Sequence, residues 1–240
     1  MHETLRGRRI VLAGGSGGLG RATAELLAAE GARLTVSFHA NVERAKALGG
    51  VANLLQADLT KAADRTRLLD AVPELYGLVV FAGDPSRVKD PAEMQNALEQ
   101  SNAVNYMGPI LLAREAADRM RRGGIAGAIV LFSTMQAVGV FPGSTAYAGA
   151  KSALTHATLV LAKECRGPVN IRVNVIAPGV MDAGMARDSI ASGKYEHLLR
   201  DGVIPRYGRA LDVARAVRFF LEPDNYVTGQ VLSVDGGATL

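Results

Sequence analysis

The 240-residue chain has one cysteine, Cys165, so no disulfide can form within it and nothing points to an oxidising compartment. It lacks any run approaching the ~18 to 20 apolar residues that cross a bilayer as a helix. The opening stretch MHETLRGRRIVLAGG is basic, but only residues 10–13 follow as an apolar run before glycines, too short for the core of a secretion signal. No strong excess of one charge exists either: 27 Lys plus Arg stand against 23 Asp plus Glu, and the one basic cluster, RMRR at 119–122, reads as a solvated helix end. Nucleic acid is therefore not an expected partner. His2, His39, His156 and His197 are scattered and make no metal-ligand spacing with one another or with Cys165. Linkers and internal repeats are also missing. The expectation is one soluble, cytoplasmic domain over residues 1–240, with no metal and no membrane partner.

What the chain does contain is a recurrence of short apolar runs: RIVLAG, RLTVSF, ANLLQA, GLVVFAG, GAIVLFS, IRVNVIAP and QVLSVDG. Their hydrophobicity is continuous rather than alternating, which requires cover on both faces, as parallel strands between helices have. Segments such as LGRATAELLAAEGA and TAYAGAKSALTHATLVLAKE carry small and apolar residues at helical spacing between them. The pattern predicts an α/β fold, a Rossmann-type doubly wound seven-stranded parallel sheet with helices on both faces. Residues 180–204 show no clear period and follow the sixth strand, where a substrate lid is expected.

The first strand runs into AGGSGGLGRATAELL, with Gly14, Gly18 and Gly20 in a G-x-x-x-G-x-G spacing around Ser16, Gly17 and Leu19. Glycines allow a tight turn and close approach to a pyrophosphate, and the helix N-terminus favours negative charge. At the end of the second strand, TVSFHANVERAK has no acid at Phe38 or His39 to hold a free ribose 2′-hydroxyl. A 2′-phosphate can be met there by His39, Asn41 or Arg44, which favours NADP(H) over NAD(H).

In TAYAGAKSAL, Tyr147 and Lys151 stand four residues apart near a predicted helix start. Alone, such a pair is two amphipathic side chains on one helix face. Together with the glycine turn, and with ADLT around Asp58 and Leu59, VNYMGPILL with Asn105, GAIVLFSTMQAVGVFPGSTAYAGAKSAL, IRVNVIAPG and DVARAVRFFLEPDNYVTGQVLSVDGG, the chain resembles the short-chain dehydrogenase/reductase family in its small single-domain branch. The resemblance implies hydride transfer between nicotinamide and a carbonyl or alcohol carbon, on a small-molecule or acyl-chain carbonyl substrate such as a ketoacyl thioester. It assigns Tyr147 as acid/base, Lys151 as the cation that stabilises its phenolate and holds the nicotinamide ribose, and Asn105 as holder of a relay water. It adds Ala82, Gly83, Pro178, Gly179 and Val180 to the cofactor contacts. A homotetramer or homodimer, through the fifth helix and last strand, is implied as well.

Several positions depart from the family pattern. Thirteen residues before Tyr147, where a serine is usual, stands Thr134; Ser133 is adjacent, but neighbours on a strand point to opposite faces, so Thr134 takes the role. Phe81 replaces the asparagine usual before Ala82 and Gly83, Ala13 a frequent threonine, and Ala183 a threonine that contacts the carboxamide. Asp235 in SVDGG reads as a turn residue. Two functions follow: an NADP(H)-preferring oxidoreductase, favoured by Tyr147, Lys151 and Asn105, or a cofactor-binding regulator with little turnover, favoured by Phe81, Thr134 and Ala183.

Overall fold

A computed structural model describes residues 4–88 and 90–240; His2 lies outside the described residues. Strands and helices alternate through β1 (Arg9–Ala13), α1 (Gly18–Ala29), β2 (Arg33–Phe38), α2 (Val42–Lys46), β3 (Asn53–Gln56), α3 (Ala62–Asp70) and β4 (Leu75–Val80). Then come α4 (Met94–Asn102), a π-helical turn (Ala103–Met107), α5 (Gly108–Arg122), β5 (Ala128–Phe132), α6 (Thr145–Glu164) and β6 (Arg172–Pro178). Short α7 (Arg187–Ala191) and α8 (Glu196–Arg200) precede α9 (Ala210–Leu221) and β7 (Val231–Val234).

All seven apolar runs form strands, paired in parallel in the order β3-β2-β1-β4-β5-β6-β7. The order reverses between β1 and β4, which opens a crevice at the carboxyl ends of those strands. The continuous hydrophobicity has a direct cause in the two helix layers. Along β1, Ile10 and Leu12 pack with Ala24 and Leu27 of α1 and with Val217 and Phe220 of α9. Val11 and Ala13 point the other way, into Leu68 of α3, Leu112 and Ala116 of α5 and Leu154 of α6. Successive strand residues alternate faces, so a strand covered on both sides admits a polar side chain only where a partner is built in for it.

Polar groups inside this frame are paired. Buried Arg172 donates to Phe220 O at 3.1 Å and to the Tyr76 hydroxyl at 3.1 Å, and that hydroxyl donates to Leu221 O at 2.7 Å, satisfying carbonyls at the end of α9. The basic cluster closes α5 as expected, with Arg119 on Asp70 at 2.7 Å and Arg121 on Asp118 at 2.6 Å. Asp235 accepts from Gly237 N at 3.0 Å and from the Thr239 hydroxyl at 2.6 Å, as a turn residue does. Among the described residues no group of three or more His, Cys, Asp or Glu is gathered for a metal, and no helix is long and apolar enough to cross a membrane.

The aperiodic stretch 180–204 holds α7, α8 and a 3-10 turn (Gly184–Ala186). Each of these helices has five residues, little more than one turn, so no 3.6-residue repeat can develop in the sequence. Arg87, in the loop after β4, donates to Ser189 Oγ in α7 at 2.9 Å and to Met185 O at 3.5 Å, tying the stretch to the opposite wall of the crevice.

The turn between β1 and α1 is shaped by what its glycines lack. Gly14 sits at φ +72°, and a Cβ there would lie 2.9 Å from Ala82 Cα. A Cβ on Gly20 would collide with the Gly15 carbonyl oxygen, whereas one on Gly17 would meet nothing within 4 Å. Gly20→Ala is accordingly expected to lose about 1–3 kcal/mol of stability or more, because α1 must shift off the turn. Gly17→Ala, at φ −75°, should be neutral or gain up to about 1 kcal/mol. Urea midpoints of the two variants against the parent check the contrast.

Candidate active site

At the crevice, α1 begins at Gly18 with Gly17 as an extended N-cap that has no side-chain capping bond and no acid in the first turn. The helix therefore presents its first N–H groups and positive end uncompensated by its own side chains. Gly14 N donates to Ser37 Oγ at 3.1 Å, fixing the turn to β2, and Leu19 packs into the core beside α1. Ser16 is half-buried in the same turn. A Cβ on Gly18 would lie 3.0 Å from Gly184 N and 3.2 Å from Ala183 Cβ, so the stretch after β6 rests directly on the glycine turn. Pro178 pairs with Val234 and Gly179 N donates to Val234 O at 3.0 Å, which brings Gly179 and buried Val180 to the same edge.

The end of β2 is less open than its sequence suggests. Phe38 is half-buried, and His39 is exposed with Nε2 3.9 Å from Asp58 Oδ2. Asp58 accepts from Thr60 N at 3.0 Å and the Thr60 hydroxyl at 2.7 Å, and these bonds hold its carboxyl below the usual range. Asn41 caps α2 through Oδ1, which accepts from Arg44 N at 2.9 Å. Leu59 is buried, with its carbonyl taken by Arg65 at 2.9 Å. Asp58 thus sits beside one of the groups expected to meet a 2′-phosphate. That proximity joins the ends of two different strands, which no local spacing reveals.

The ends of β4 and β5 and the start of α6 converge on Lys151. Its side chain is buried at 2% exposure, and Nζ donates to Phe132 O at 2.8 Å and to Ala82 O at 3.4 Å. A Cβ on Gly83 would fall 3.5 Å from that Nζ and 3.2 Å from Asn105 Oδ1. Burial without a carboxylate partner pushes the Lys151 amine down to about 7. Tyr147 is half-buried, with the Thr134 hydroxyl beside its phenol. Its phenol is pushed up to about 12, first by burial and then by the charges of Asp84 and Tyr195, against the lowering effect of Thr134. The Lys151 amine is turned to main-chain carbonyls, and burial is the largest influence on the phenol.

Thr134 and Ser133 both lie just past the end of β5, and both face α6. The Thr134 hydroxyl lies beside Tyr147 and accepts from Gln136 N at 3.3 Å, while Ser133 Oγ meets Thr155 Oγ1 at 2.6 Å, two helical turns on from the phenol. Asn105 lies in the π turn, fully buried: Oδ1 accepts from Asp84 N at 2.8 Å, and Nδ2 donates to Asp84 O and Ser101 Oγ, each at 2.9 Å. Its amide has no donor left for a relay water. Phe81, in place of the usual asparagine, lays its ring on Phe132 at 4.5 Å between centroids, so a ring contact braces β4 against β5. The sequence did not single out Ser101, Asp84, Ser86 or Tyr195; only Ser101, one helical turn before Asn105, carried a spacing that could have marked it.

Comparison with known proteins places this geometry. A family model described as enoyl-(acyl carrier protein) reductase matches residues 13–239. The 3-oxoacyl-[acyl-carrier-protein] reductase of Rattus norvegicus is 34% identical over 236 residues, covering 95% of this chain and 96% of the relative. The 3beta-hydroxysteroid dehydrogenase 1 of Eggerthella lenta is 32% identical over 262 residues, covering 100% and 97%. A solved short-chain type dehydrogenase/reductase from Mycobacterium ulcerans is similar with a TM-score of 0.87 at 28% identity, over 99% of this chain and 91% of that one. The NADPH-dependent 3-quinuclidinone reductase from Rhodotorula rubra gives 0.84 at 26% identity, over 98% and 92%. Sequence relatives of nearly equal length and a shared parallel sheet thus agree that the chain belongs to the short-chain dehydrogenase/reductase family, NAD(P)-dependent oxidoreductases acting on hydroxyl and carbonyl groups.

Proposed function

We propose that the protein is a carbonyl reductase preferring NADP(H), in which Tyr147 gives its proton to the substrate oxygen. The observation that carries this reading is the Tyr147–Thr134 hydroxyl pair, one helical turn from the buried amine of Lys151. A phenol pushed up to about 12 is protonated at neutral pH, the state a proton donor needs in the reductive direction. Thr134 donates to the same oxygen as charge develops on it. When bound, the nicotinamide supplies the hydride in reduction and accepts it in oxidation.

The residues present fit such a cofactor. The uncapped start of α1 and the open space beside Gly17 suit a pyrophosphate, while Asp58, Leu59, Ala82, Gly83 and Val180 lie along the same edge of the sheet. Lys151 holds the walls of the nicotinamide pocket together through Phe132 O and Ala82 O. Asn105 acts by pinning the loop at Asp84, since its amide is committed there. NADP(H) preference is supported by the lack of an acid at Phe38 and His39 and by exposed Arg44 nearby, and the Rhodotorula relative is named for NADPH. The substrate is a small or acyl-chain carbonyl, as the names of the 3-oxoacyl and 3-quinuclidinone relatives suggest. Residues 180–204 serve as its lid, exposed Leu111 of α5 and Val231 of β7 suit a homodimer or homotetramer built through those elements, and the single cysteine suits a cytoplasmic location.

The second reading, a regulator with little turnover, draws on Phe81 and Ala183, and dinucleotide binding without oxidation of NADPH on any member of a carbonyl panel would favour it. On the proposed reading, Tyr147→Phe abolishes turnover and keeps dinucleotide affinity. Thr134→Val loses about a hundredfold to a thousandfold in kcat, whereas Ser133→Ala stays within a few-fold of the parent. A parental rate in Tyr147→Phe, or the opposite order of the two strand variants, would overturn it.

Cofactor choice has its own test. Phe38→Asp places a carboxylate where a ribose 2′-hydroxyl is held and a 2′-phosphate repelled, so the ratio of kcat/KM for NADPH over NADH should fall at least tenfold. An unchanged ratio removes the assignment of Phe38.

The buried amine also makes stability depend on pH. Lys151 titrates near 7 in the folded chain and near 10.4 when unfolded, so between these values the unfolded state binds more protons and stability rises with pH. That contribution is lost as pH falls through 7. Tyr147 acts oppositely above pH 10, where the unfolded phenol ionises first. Urea midpoints at pH 7 and pH 9.5 should therefore rise more in the parent than in Lys151→Met; equal slopes would refute the assignment.

A further inference from the structure

We infer that Ser101 is a positioning residue for proton transfer: its buried hydroxyl joins the Asn105 amide to the main chain at Ala146 and so fixes the seat of Tyr147. The inference rests on the reading of Tyr147 as proton donor. Ser101 lies in the last turn of α4 at 0% exposure. A helical serine commonly bonds its own chain four residues back. This one reaches across to α6, where Ala146 O accepts its hydrogen at 2.9 Å.

A hydroxyl has one hydrogen, so the direction of the chain is determined. With that hydrogen on Ala146 O, the 2.9 Å contact to Asn105 Nδ2 can only be one in which Ser101 Oγ accepts. The second Nδ2 hydrogen goes to Asp84 O at 2.9 Å, with Ser86 Oγ farther off at 3.3 Å. One buried line thus runs from the loop after β4, through the π turn and α4, to the residue preceding Tyr147.

The far end of that line is where α6 needs support. Its N-cap, Ser144, makes no side-chain capping bond to the helix, and its own hydroxyl donates to Phe141 O at 2.8 Å. The first turn of α6 therefore lacks the usual side-chain cap, and Ser101 holds it from the adjoining helix. Loosening that turn moves Tyr147 away from Thr134, the neighbour whose hydroxyl lowers the phenol. A serine kept only because α4 and α6 pack closely would be replaced by alanine without effect on chemistry.

The test compares Ser101→Ala and Ser101→Cys with the parent, using NADPH and whichever carbonyl of the panel the parent reduces fastest. Losing a buried hydrogen bond costs about 1–2 kcal/mol, so Ser101→Ala should lose about tenfold in kcat, with KM for NADPH within twofold. The alkaline limb of its kcat profile should move to higher pH, and hydrogen exchange at the first turn of α6 should quicken. Ser101→Cys, similar in size with a weaker donor, should fall between on each readout and serves if the alanine variant does not fold. Parental kcat and limb in a folded variant, or a lower kcat with an unmoved limb, overturn the inference. Tyr147→Phe run alongside separates the two failures: if it turns over like the parent, the donor assignment itself is wrong; if it is inactive and Ser101→Ala is parental, only the role of Ser101 falls.

Discussion

An amine with 2% of its surface exposed has to find acceptors inside the protein, and Lys151 finds them in the carbonyls of Phe132 and Ala82. These oxygens lie at the ends of β5 and β4, so a single side chain from α6 ties together two neighbouring strand ends at one wall of the crevice. Much else follows from that contact. The chain beside it at residue 83 has little room for a side chain, because a Cβ would press on Asn105 Oδ1 at 3.2 Å. The start of α6 must lie over the end of β5, which puts Tyr147 beside Thr134 and Thr155, two turns on, against Ser133.

The frame was legible in the sequence because it rests on periodicity and on short-range geometry. Seven apolar runs became seven strands, since residues buried alternately in two helix layers leave a continuous apolar signal. By contrast, α7 and α8 are too short to show a helical repeat, so residues 180–204 carried no readable pattern. Site features that join distant segments were equally hidden: the contact of His39 with Asp58, and the ties of Asn105 to Asp84 and Ser101. The surroundings of Tyr147 were hidden too: spacing shows that an amine lies one turn away, but not that its hydrogen bonds point at carbonyls.

Phe81 shows how the crevice can keep its shape without a family side chain. An asparagine braces strands by hydrogen bonds that need exact partners on each side; a phenyl ring on Phe132 braces them by contact area. Lys151 then supplies the polar link between the same two strand ends. The substitution shifts the work of holding β4 against β5 from an amide to a ring and an amine.

Gly18 and Ala183 meet across the mouth of the crevice with room for one methyl group and little more, since a Cβ on the glycine would stand 3.2 Å from that of the alanine. The two positions form a volume pair, one in the turn and one in the stretch after β6. A side chain larger than hydrogen at 18 would need the backbone at Gly184 to retreat, so the stretch after β6 sets the size of the residue that the glycine turn can carry there.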